Sequence, residues 1–409
     1  MIKILQGKRI LLGVTGSIAC YKAAELASRL AQGGAQVQVV LTAAAQQFIT
    51  PLVFQSVTGQ RAYVDADMWG AEGHVQHIGL AQDADLLVIA PASANTIAKM
   101  AHGLADNLLS VTALAARCPL LLAPAMDGGM YVHPATQANL AILKERGVDV
   151  IGPAEGHLAS GLTGLGRMVE AEEILGHIRV LLGRSGALKG RRVVVTAGGT
   201  QEPLDPVRVI ANRSSGKQGY ALAQAALDAG AAVTLISGPT ALKTPVGASR
   251  IDVGTAEQML EAVLQALPHA DALLMAAAVA DFRPIRVQSE KIKKEDGVPS
   301  FELECTPDIL AQAAQIAKNR PSLAVIGFAA ESRDLVANAS RKLMEKNLDL
   351  IVANDITASD AGFSVDDNRI TLLHADGRVE ALPLMSKIEA AEHVIDRLAA
   401  ILESKGEEL

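Results

Sequence analysis

The sequence predicts an α/β protein with two doubly wound, largely parallel sheets, and three observations lead to this fold class. Short apolar strands alternate with Ala- and Leu-rich helices in both halves of the chain. Half of the 409 residues are hydrophobic although only 3% are aromatic, a balance that suits helices packed closely on parallel strands. The alternation breaks down once, at residues 183–190, and then restarts, so we expect two domains.

The first half reads as alternating strands and helices. Strands are predicted at residues 9–13, 36–41, 86–90, 120–123 and 149–151, with a helix at 21–32. The most apolar stretch, residues 108–126, is broken by Arg117 and Pro119, which favours a buried helix and strand over a membrane span. We therefore expect a domain at 1–182 and a linker at 183–190.

The second domain, residues 191–409, repeats this pattern. Strands are predicted at 192–196, 232–237, 272–278, 324–328 and 348–353, with helices at 219–229 and 387–403. Asp376 and Gly377 separate two β-prone runs, 369–374 and 378–382, which is typical of a hairpin turn.

Composition excludes several classes of function. The net charge is −7 and no long basic stretch occurs, which argues against binding to nucleic acid. Cys20, Cys118 and Cys305 are far apart and lack CxxC spacing, so neither a disulfide framework nor a zinc site is expected. The N-terminus lacks the long apolar core of a signal peptide. We expect a soluble, cytoplasmic protein that does not bind membranes.

Polar loops follow three strands of the first half. The first strand runs into Gly-Val-Thr-Gly-Ser at residues 13–17, directly before a helix. The hydroxyls of Thr15 and Ser17 can donate to a phosphate, although the pattern equally fits an ordinary tight turn. The other two loops are Pro-Ala-Ser-Ala-Asn-Thr at 91–96 and Pro-Ala-Met-Asp-Gly-Gly at 124–129. Because the carboxyl ends of parallel strands meet at one edge of a sheet, these loops are predicted to form one crevice.

The motifs GSIA, HIxLxxxAD, APASANTIAK, GxADNLL and APAMxxxM resemble those of the flavoprotein family of cysteine decarboxylases. The resemblance implies a Rossmann-like, flavodoxin-like flavoprotein domain that binds FMN. It also implies that His77 is the active-site histidine. The residues implied to bind FMN are Gly16, Ser17, Thr42, Ser93, Asn95 and Thr96.

His74 is a rival to His77, but it matches no position of the family motif. Without the resemblance, His77 would be interpreted as a helix-capping or interface histidine. In the implied reaction, FMN oxidises the substrate thiol so that the adjacent carboxylate can leave as carbon dioxide, and a histidine assists proton movement near neutral pH.

Two residues depart from the family pattern. Asp127 replaces an asparagine that holds the substrate carboxylate, and a second carboxylate there would repel the substrate unless one group is protonated or a cation intervenes. Ser160, in a segment at 156–168 that resembles a mobile flap over the substrate, replaces a cysteine that protonates the enethiol intermediate. A hydroxyl is a far weaker acid than a thiol, so another group donates that proton or the last step is slower.

The second half offers another anion site. Asn-Arg-Ser-Ser-Gly-Lys at 212–217 precedes a helix, but Gln218 follows the lysine, so the P-loop motif is not satisfied. A basic segment follows the strand at 272–278. Alone it would be a solvated loop, whereas beside an anion site it would clamp phosphates. Its cationic residues are Arg283, Arg286, Lys291, Lys293 and Lys294.

The motifs GGTxEPLDPVR, NRSSGKQG, AAVADFRP, KIKK, PDIL and GFAAE resemble a CTP-dependent ligase domain. Together the two halves resemble the bifunctional phosphopantothenoylcysteine decarboxylase/phosphopantothenate–cysteine ligase family of coenzyme A biosynthesis. By this resemblance Asn212, Ala277 and Lys291 determine ligase activity. The implied CTP-binding residues are Ala277, Asp281, Lys291, Pro307, Asp308, Ile309, Leu310, Phe328, Lys342 and Lys346.

The resemblance also implies the chemistry and partners. The substrates are 4′-phosphopantothenate, cysteine and CTP, with Mg²⁺ bridging the triphosphate. Lys291 offsets charge on the reacting phosphate and Asn212 handles the acyl cytidylate. Asp281 holds either ribose or metal. The family pattern implies trimeric contacts in the flavoprotein domain and dimeric contacts in the ligase domain, which together would give a homo-oligomer as large as a dodecamer.

Three other functions fit parts of the sequence, but each conflicts with another feature of it. A lone flavin decarboxylase with a degenerate second domain conflicts with the intact KIKK, AAVAD and NRSSGK motifs. Phosphatase regulators related to the first half usually carry acidic tails, which this chain lacks. An NAD-dependent epimerase would need GxGxxG and a Tyr-xxx-Lys pair, neither of which is found.

Overall fold

The computed structural model describes residues 2–69, 76–159, 161–331, 334–355 and 367–407. The chain forms two compact units, Met1–Leu182 and Gly183–Leu409. In each unit two separate hydrophobic clusters contain strand and helix residues, so each sheet is covered on both faces. Two doubly wound α/β domains were predicted, and this prediction is confirmed. No helix among the described residues has the length and apolar character needed to cross a bilayer.

The first unit contains eight strands and eight α-helices among its described residues. The strands are β1 (Arg9–Val14), β2 (Gln36–Leu41), β3 (Ala62–Val64), β4 (Leu86–Ala92), β5 (Leu120–Pro124), β6 (Asp149–Val150), β7 (Ala154–His157) and β8 (Thr163–Arg167). The helices are α1 (Cys20–Gln32), α2 (Pro51–Thr58), α3 (Gln76–Asp83), α4 (Ala94–His102), α5 (Leu108–Ala115), α6 (Gly128–Val132), α7 (Pro134–Glu145) and α8 (Ala171–Gly183). Short 3₁₀ helices lie at Lys3–Leu5, Ala45–Gln47 and Asp65–Trp69.

The main sheet of this unit has the order β3-β2-β1-β4-β5-β6, and all of its pairs are parallel. Without the three-residue edge strand β3, the order is that of flavodoxin, and with β3 it is the order of the Rossmann fold. The chain reverses its direction of progress across the sheet between β1 and β4.

Small residues bring the helices close to this sheet. A Cβ atom on Gly13 of β1 would lie 2.6 Å from Cδ1 of Leu109 in α5, so the glycine permits this packing. On the other face, α1 buries Ala23, Leu26, Ala27 and Leu30, spaced as expected for one side of an amphipathic helix. The low aromatic content therefore follows from close helix–sheet packing.

Strands β7 and β8 form an antiparallel hairpin outside the main sheet. It occupies most of the segment that was predicted to be a flap. The backbone of Met126, which follows β5, donates a hydrogen bond to the carbonyl of Gly166 at 3.0 Å. The hairpin is thereby joined to the loop that contains Asp127.

The second unit contains fourteen strands and five α-helices among its described residues. The strands are β9 (Arg192–Ala197), β10 (Gln201–Pro203), β11 (Val209–Ala211), β12 (Ala232–Ser237), β13 (Ser249–Asp252), β14 (Ala272–Met275), β15 (Phe282–Pro284), β16 (Leu303–Cys305), β17 (Ala324–Glu331), β18 (Leu350–Asp355), β19 (Asp367–Asn368), β20 (Ile370–His374), β21 (Val379–Ala381) and β22 (Met385–Ser386). The helices are α9 (Lys217–Asp228), α10 (Ala256–Ala266), α11 (Ile309–Lys318), α12 (Leu335–Glu345) and α13 (Lys387–Glu407), with 3₁₀ helices at Leu267–His269 and Lys294–Asp296.

The large sheet of this unit has the order β13-β12-β9-β14-β17-β18-β20-β21. Its first six strands are parallel and repeat the Rossmann order, and β20 and β21 extend the sheet as an antiparallel hairpin. The hairpin turn predicted at Asp376 and Gly377 is confirmed. Three two-stranded ribbons among the described residues, β10–β11, β15–β16 and β19–β22, lie outside the sheet.

One predicted strand is shorter than expected. The sequence predicts residues 272–278, but β14 ends at Met275 because the next residues hydrogen-bond elsewhere. The amide of Ala277 donates to Oγ1 of Thr196 at 3.1 Å, and that of Ala278 donates to the carbonyl of Gly198 at 2.8 Å.

Residues 184–190 form turns packed on the second unit. Leu188 is fully buried in the core of that unit, and its amide donates to the carbonyl of Ala229 at 2.7 Å. The segment predicted to be a linker is thus ordered by contacts with the unit that follows it.

Candidate functional sites

The first candidate site lies where the first sheet reverses direction, between β1 and β4. Ligands of open α/β sheets bind beyond the carboxyl ends of strands at such a point. Here Thr15, in the loop after β1, is hydrogen-bonded to the end of β4 and to the loop that follows it. Its fully buried hydroxyl donates to the carbonyl of Pro91 at 2.7 Å and accepts from the amide of Ser93 at 2.9 Å. The sequence suggested that this hydroxyl could donate to a phosphate, but the structure uses it to fix the crevice.

Helix α1 begins at this crevice without a side-chain cap. Such a helix start attracts anions because it lies at the positive end of the helix dipole, although here the amides of Cys20 and Lys22 already donate to the carbonyls of Ser17 and Ala19 at 3.1 and 3.0 Å. Ser17 is half-buried just before the helix, and its hydroxyl accepts from the amide of Ala19 at 3.3 Å.

Gly16 and Thr42 bring the loop after β2 to the same place. A Cβ atom on Gly16 would lie 2.6 Å from Cβ of Ala44, so no larger residue fits without movement of that loop. The amide of Thr42 donates to the carbonyl of Val14 at 3.1 Å, and its side chain is buried. Gly16, Ser17 and Thr42 therefore line adjoining loops.

Ser93, Asn95 and Thr96 lie at the start of α4. Ser93 caps this helix by accepting from the amide of Thr96, and the two hydroxyls are 3.2 Å apart. Thr96 is buried and Asn95 is exposed. The structure thus places the six residues implied to bind FMN on three neighbouring loops.

Asp127 follows β5, next to β4 in the sheet. It is half-buried, and its carboxylate caps the short helix α6 by accepting from the amide of Gly129 at 3.0 Å. A Cβ atom on Gly128 would lie 2.8 Å from the carbonyl oxygen of Leu165, so the β8 strand lies directly against this loop. Ser160 and His74 fall outside the described residues.

His77 is in the first turn of α3, the helix that leads into β4. In a β-α-β unit the helix starts at the carboxyl edge of the sheet, so His77 is at the same edge as the loops described above. Its Nδ1 atom is buried and has no hydrogen-bond partner among the residues that the structure describes. Buried polar atoms normally have partners, so this one fits a role toward a bound group.

The second candidate site lies at the corresponding point of the second sheet, between β9 and β14. Two fully buried threonines of the first strand and its loop hold the loop after β14. Thr196 accepts from the amide of Ala277, and Thr200 accepts from the amide of Ala280 at 2.9 Å. Ala277 is therefore fixed at the crevice by its backbone.

Asn212 leads from β11 toward α9. Its side-chain amide donates to the carbonyl of Val279 at 2.8 Å, and a Cβ atom on Gly199 would lie 3.1 Å from its carbonyl oxygen. Helix α9 has Gly216 at its N-cap with a φ of 76° and no side-chain cap. This uncapped start repeats the arrangement at α1.

Most of the remaining residues predicted to bind CTP form a connected group, which runs through hydrogen bonds and the chain itself from Asp281 to Lys346. Thr306 links this group to the crevice: its amide donates to the carbonyl of Asp281 at 3.0 Å, and its hydroxyl donates to that of Ala280 at 2.6 Å. Pro307 and Asp308 follow directly. Asp308 caps α11, which starts with Ile309 and Leu310.

Asp308 and Lys346 already pair with each other, at 2.7 Å. Burial raises the pKa of the Asp308 carboxyl, but the hydrogen bonds from Lys346 and the amide of Ala311 outweigh this, so its pKa lies below the usual value. Phe328 is half-buried on β17, and Lys342 lies on α12. Lys342 lies one helical turn before Lys346, whose amide donates to the Lys342 carbonyl at 3.1 Å, so Lys342 is joined through Lys346 to Asp308.

Lys291 is exposed and lies in the segment after β15. Its neighbour Ile292 is held through both backbone groups by Asp205 and Arg208, which belong to the connection between β10 and β11. No role for Asp205 was predicted, because its burial, which is rare for a carboxylate, is visible only in the structure.

One member of the basic segment, Arg283, already pairs with two carboxylates. Arg283 pairs with Glu304 at 2.8 Å and with Glu257 at 3.0 Å, and both hydrogen bonds raise its pKa. Among the described residues no group of three or more His, Cys, Asp or Glu side chains could hold a metal ion. Asp281 is exposed and would be a single carboxylate ligand.

Comparison with known proteins relates both units to known families. Residues 3–183 match the family described as flavoprotein, and residues 188–402 match the family described as the DNA/pantothenate metabolism flavoprotein C-terminal domain. The coenzyme A biosynthesis bifunctional protein CoaBC of Bacillus subtilis is 44% identical over 407 residues, which cover 99% of this chain and 100% of the relative. That of Vibrio cholerae is 46% identical over 393 residues, covering 96% and 98%.

A third relative, from Mycobacterium tuberculosis, has the same name and is 44% identical over 408 residues, covering 97% of each chain. The fold, the two crevices and the family matches define a two-domain α/β protein with a flavoprotein domain. The chain belongs to the family of bifunctional coenzyme A biosynthesis proteins. The prediction of a bifunctional decarboxylase and ligase is confirmed.

Proposed function

We propose that residues 191–409 join cysteine to 4′-phosphopantothenate with CTP, that residues 1–182 decarboxylate the product with FMN, and that 183–190 connect the two domains. The observation that carries this proposal is the pair of crevices. Each lies where its sheet reverses direction, and each faces a helix that starts without a side-chain cap. Two separate anion sites suit two reactions on phosphorylated substrates.

In the ligase reaction, the carboxylate of phosphopantothenate attacks the α-phosphorus of CTP, forming an acyl cytidylate and releasing pyrophosphate. The amine of cysteine then displaces CMP. Lys291 would offset negative charge on the reacting phosphate. Asn212 would orient the acyl cytidylate, and its hydrogen bond to Val279 supports this role because it places the amide beside Ala277.

The CTP site would extend along the connected group from Asp281 through Pro307 to Lys346. Release of Lys346 from Asp308 would let its ammonium reach a phosphate, whereas Asp308 would keep its capping bond to α11. Mg²⁺ would be held chiefly by the triphosphate, with at most Asp281 as a protein ligand, since the described residues provide no acidic cluster.

In the decarboxylase reaction, bound FMN would supply a reversible two-electron oxidation: it would take a hydride equivalent from the thiol-bearing carbon, so that the carboxylate can leave as carbon dioxide, and it would return that hydride equivalent afterwards, so that the net reaction needs no other oxidant. FMN rather than a dinucleotide fits the first crevice, because the loop after β1 lacks the GxGxxG pattern that holds a pyrophosphate. Gly16, Ser17 and the uncapped start of α1 would hold its phosphate, while Thr42, Ser93, Asn95 and Thr96 would line the rest of the site.

His77 would move a proton at the substrate, since its buried Nδ1 makes no hydrogen bond within the described part of the chain. Asp127 would lie beside the substrate carboxylate, with one of the two groups protonated or a cation between them. Ser160 would face the same site if the hairpin of β7 and β8 covers the substrate, and the final proton would then come from another group.

We further propose a homo-oligomer with trimeric contacts in the first domain and dimeric contacts in the second, as large as a dodecamer. Exposed apolar side chains support this proposal, for example Trp69 at 85% exposure and Phe282 at 51%. The net charge and three free cysteines support a cytoplasmic protein that acts on small molecules rather than on nucleic acid or membranes.

The test is mass spectrometry of products formed from phosphopantothenate, cysteine, CTP and Mg²⁺. We expect a yellow protein and a product with the mass of phosphopantetheine. Accumulation of phosphopantothenoylcysteine would mean that the ligase works and that Asp127 or Ser160 marks an altered decarboxylase. Absence of any cysteine-containing product would contradict the proposal.

A further inference from the structure

The connection between β10 and β11 contains a buried carboxylate with an unusual number of partners. One oxygen of Asp205, Oδ1, accepts from the amides of Val207 and Arg208, both at 2.7 Å. The other, Oδ2, accepts from Nη1 of Arg208 at 2.6 Å and from the amide of Ile292 at 3.1 Å. The side chain of Asp205 is fully buried.

These contacts hold a segment that is distant in sequence. Arg208 also donates to the carbonyl of Ile292 at 3.0 Å, so both backbone groups of Ile292 are bound by one carboxylate–guanidinium pair. The amide of Gln288 donates to the carbonyl of Leu204 at 2.9 Å. The exposed Lys291 therefore lies between two points at which its segment is tied to the β10–β11 connection.

The same connection leads through β11 directly to Asn212. A single hairpin thus carries Asn212 at one end and holds the Lys291 segment at its turn. Since the lone pairs of Asp205 are occupied by protein groups, its carboxylate is directed at the chain and leaves a substrate no position to bind.

Burial raises the pKa of the Asp205 carboxyl, but the amides of Val207, Ile292 and Arg208 and the guanidinium of Arg208 lower it to about 2. The carboxylate stays charged at neutral pH, and charge-assisted hydrogen bonds are stronger than neutral ones.

We propose that Asp205, acting through Arg208 and Ile292, is a positioning residue that places Lys291 at the reacting phosphate. This inference rests on the proposed function, in which Lys291 acts on CTP. It predicts that loss of the Asp205 charge impairs formation of the acyl cytidylate more than the later attack by cysteine.

The test is Asp205→Asn in the full-length, FMN-loaded protein. We expect release of pyrophosphate from CTP and phosphopantothenate without cysteine to fall tenfold to about a hundredfold, because small displacements of a reacting group have such effects. The KM for cysteine should stay the same. Amide hydrogen exchange in a peptide containing Ile292 should become faster, whereas FMN absorbance and decarboxylation of supplied phosphopantothenoylcysteine should not change.

A matched control is Asp376→Asn. Asp376 accepts from the amide two residues ahead at 2.9 Å, as Asp205 does, but it lies in the β20–β21 turn at the amino edge of the sheet. This variant should keep the parent rate of pyrophosphate release. Should Asp205→Asn not fold, Arg208→Lys tests the same contact, because it keeps the charge and removes the forked donor to Ile292.

A double-variant cycle with Lys291→Arg separates the inference from the proposed function. If Asp205 acts through Lys291, Asp205→Asn costs less in the Lys291→Arg background than in the parent. Equal costs in both backgrounds, or unchanged exchange at Ile292, would overturn the inference alone. Full ligation by Lys291→Gln would instead overturn the proposed role of Lys291.

Discussion

The two crevices are held together by the same kind of hydrogen bond, but their proposed ligand-binding and reactive residues lie on different kinds of segment. In each unit a fully buried threonine hydroxyl links two loops: Thr15 links the loop after β1 to the loop after β4, and Thr200 links the loop after β9 to the loop after β14. In both units the adjacent helix starts without a side-chain cap. In the first unit the residues proposed to bind FMN directly follow sheet strands. In the second, Lys291 lies on a segment outside the sheet and is held by Asp205.

The difference shows two ways to fix a site. A loop between a strand and a helix is positioned by the sheet itself, because its two ends are fixed by the core. A segment beyond the sheet needs contacts of its own, and here the buried carboxylate of Asp205 and the exposed guanidinium of Arg208 provide them. Residues of the first kind should tolerate change at a distance, whereas Lys291 should depend on remote residues.

The largest expected effect separates the two sites. Lys291→Gln should lower ligation by a hundredfold or more, because it removes a charge that stabilises the reacting phosphate, and it should leave decarboxylation of supplied phosphopantothenoylcysteine intact. His77→Asn should do the reverse. Both rates can be followed by mass spectrometry of the same preparations.

Lys318→Gln at the end of α11 and His102→Asn at the end of α4 are the matched controls, since both residues lie at helix ends away from the crevices. Loss of both activities in a folded Lys291→Gln or His77→Asn protein would refute the two-site proposal.

Gly16→Ala should weaken FMN binding by about tenfold or more, because its Cβ atom would clash with Ala44 and displace the loop after β2. Fluorescence titration of the apoprotein with FMN measures this effect. The ligase rate of the same variant is the internal control. An unchanged FMN affinity would show that the loop after β2 moves without cost, and the crevice would then be less rigid than the contacts indicate.

The paired variants Thr15→Val and Thr200→Val test the threonine hydrogen bonds that hold the two crevices together. Each leaves a buried amide without its acceptor, which should cost about 1–3 kcal/mol in the free energy of unfolding of its own unit. Thermal release of FMN reports on the first unit and thermal loss of ligase activity on the second. If either variant destabilised both units equally, the comparison of two independent crevices would fail.

The smallest expected effect is on the stability of the second unit at low pH. The folded-state pKa of Asp205, about 2, lies below its ordinary value near 4, so its carboxylate stabilises the second unit at neutral pH and this contribution disappears as the pH falls from about 4 to about 2. Asp205→Asn should therefore show a weaker loss of stability over that range than the parent protein. Circular dichroism during acid titration would detect the difference, and parallel curves would contradict it.

Much of the fold could be predicted from the sequence because apolar periodicity reports burial directly. The strands at 36–41 and 232–237 have the predicted bounds, since both are rich in Val, Leu or Ile and are followed by Thr42 or Gly238. The end of β14 was predicted three residues too late, because the hydroxyl of Thr196, a distant residue, captures the amide of Ala277.

The candidate sites likewise include features that could be predicted from the sequence and features that could not. Motifs next to strand ends, such as those containing Ser93 and Asn212, were found from sequence and resemblance, because their positions follow from the order of strands. The role of Thr15 was misjudged, since the sequence does not show whether a hydroxyl bonds to a ligand or to Pro91. The pairing of Arg283 with two glutamates was likewise missed.

The sequence by itself determined the two α/β domains, the family and the loops that form each crevice, since these depend on local pattern and on chain order. Only the tertiary structure decided how the crevices are held together. The bonds from Thr15 to Ser93 and from Asp205 to Ile292 join residues 78 and 87 positions apart. Such contacts leave no local pattern, because the partner of a buried polar group is set by the folding of the whole domain.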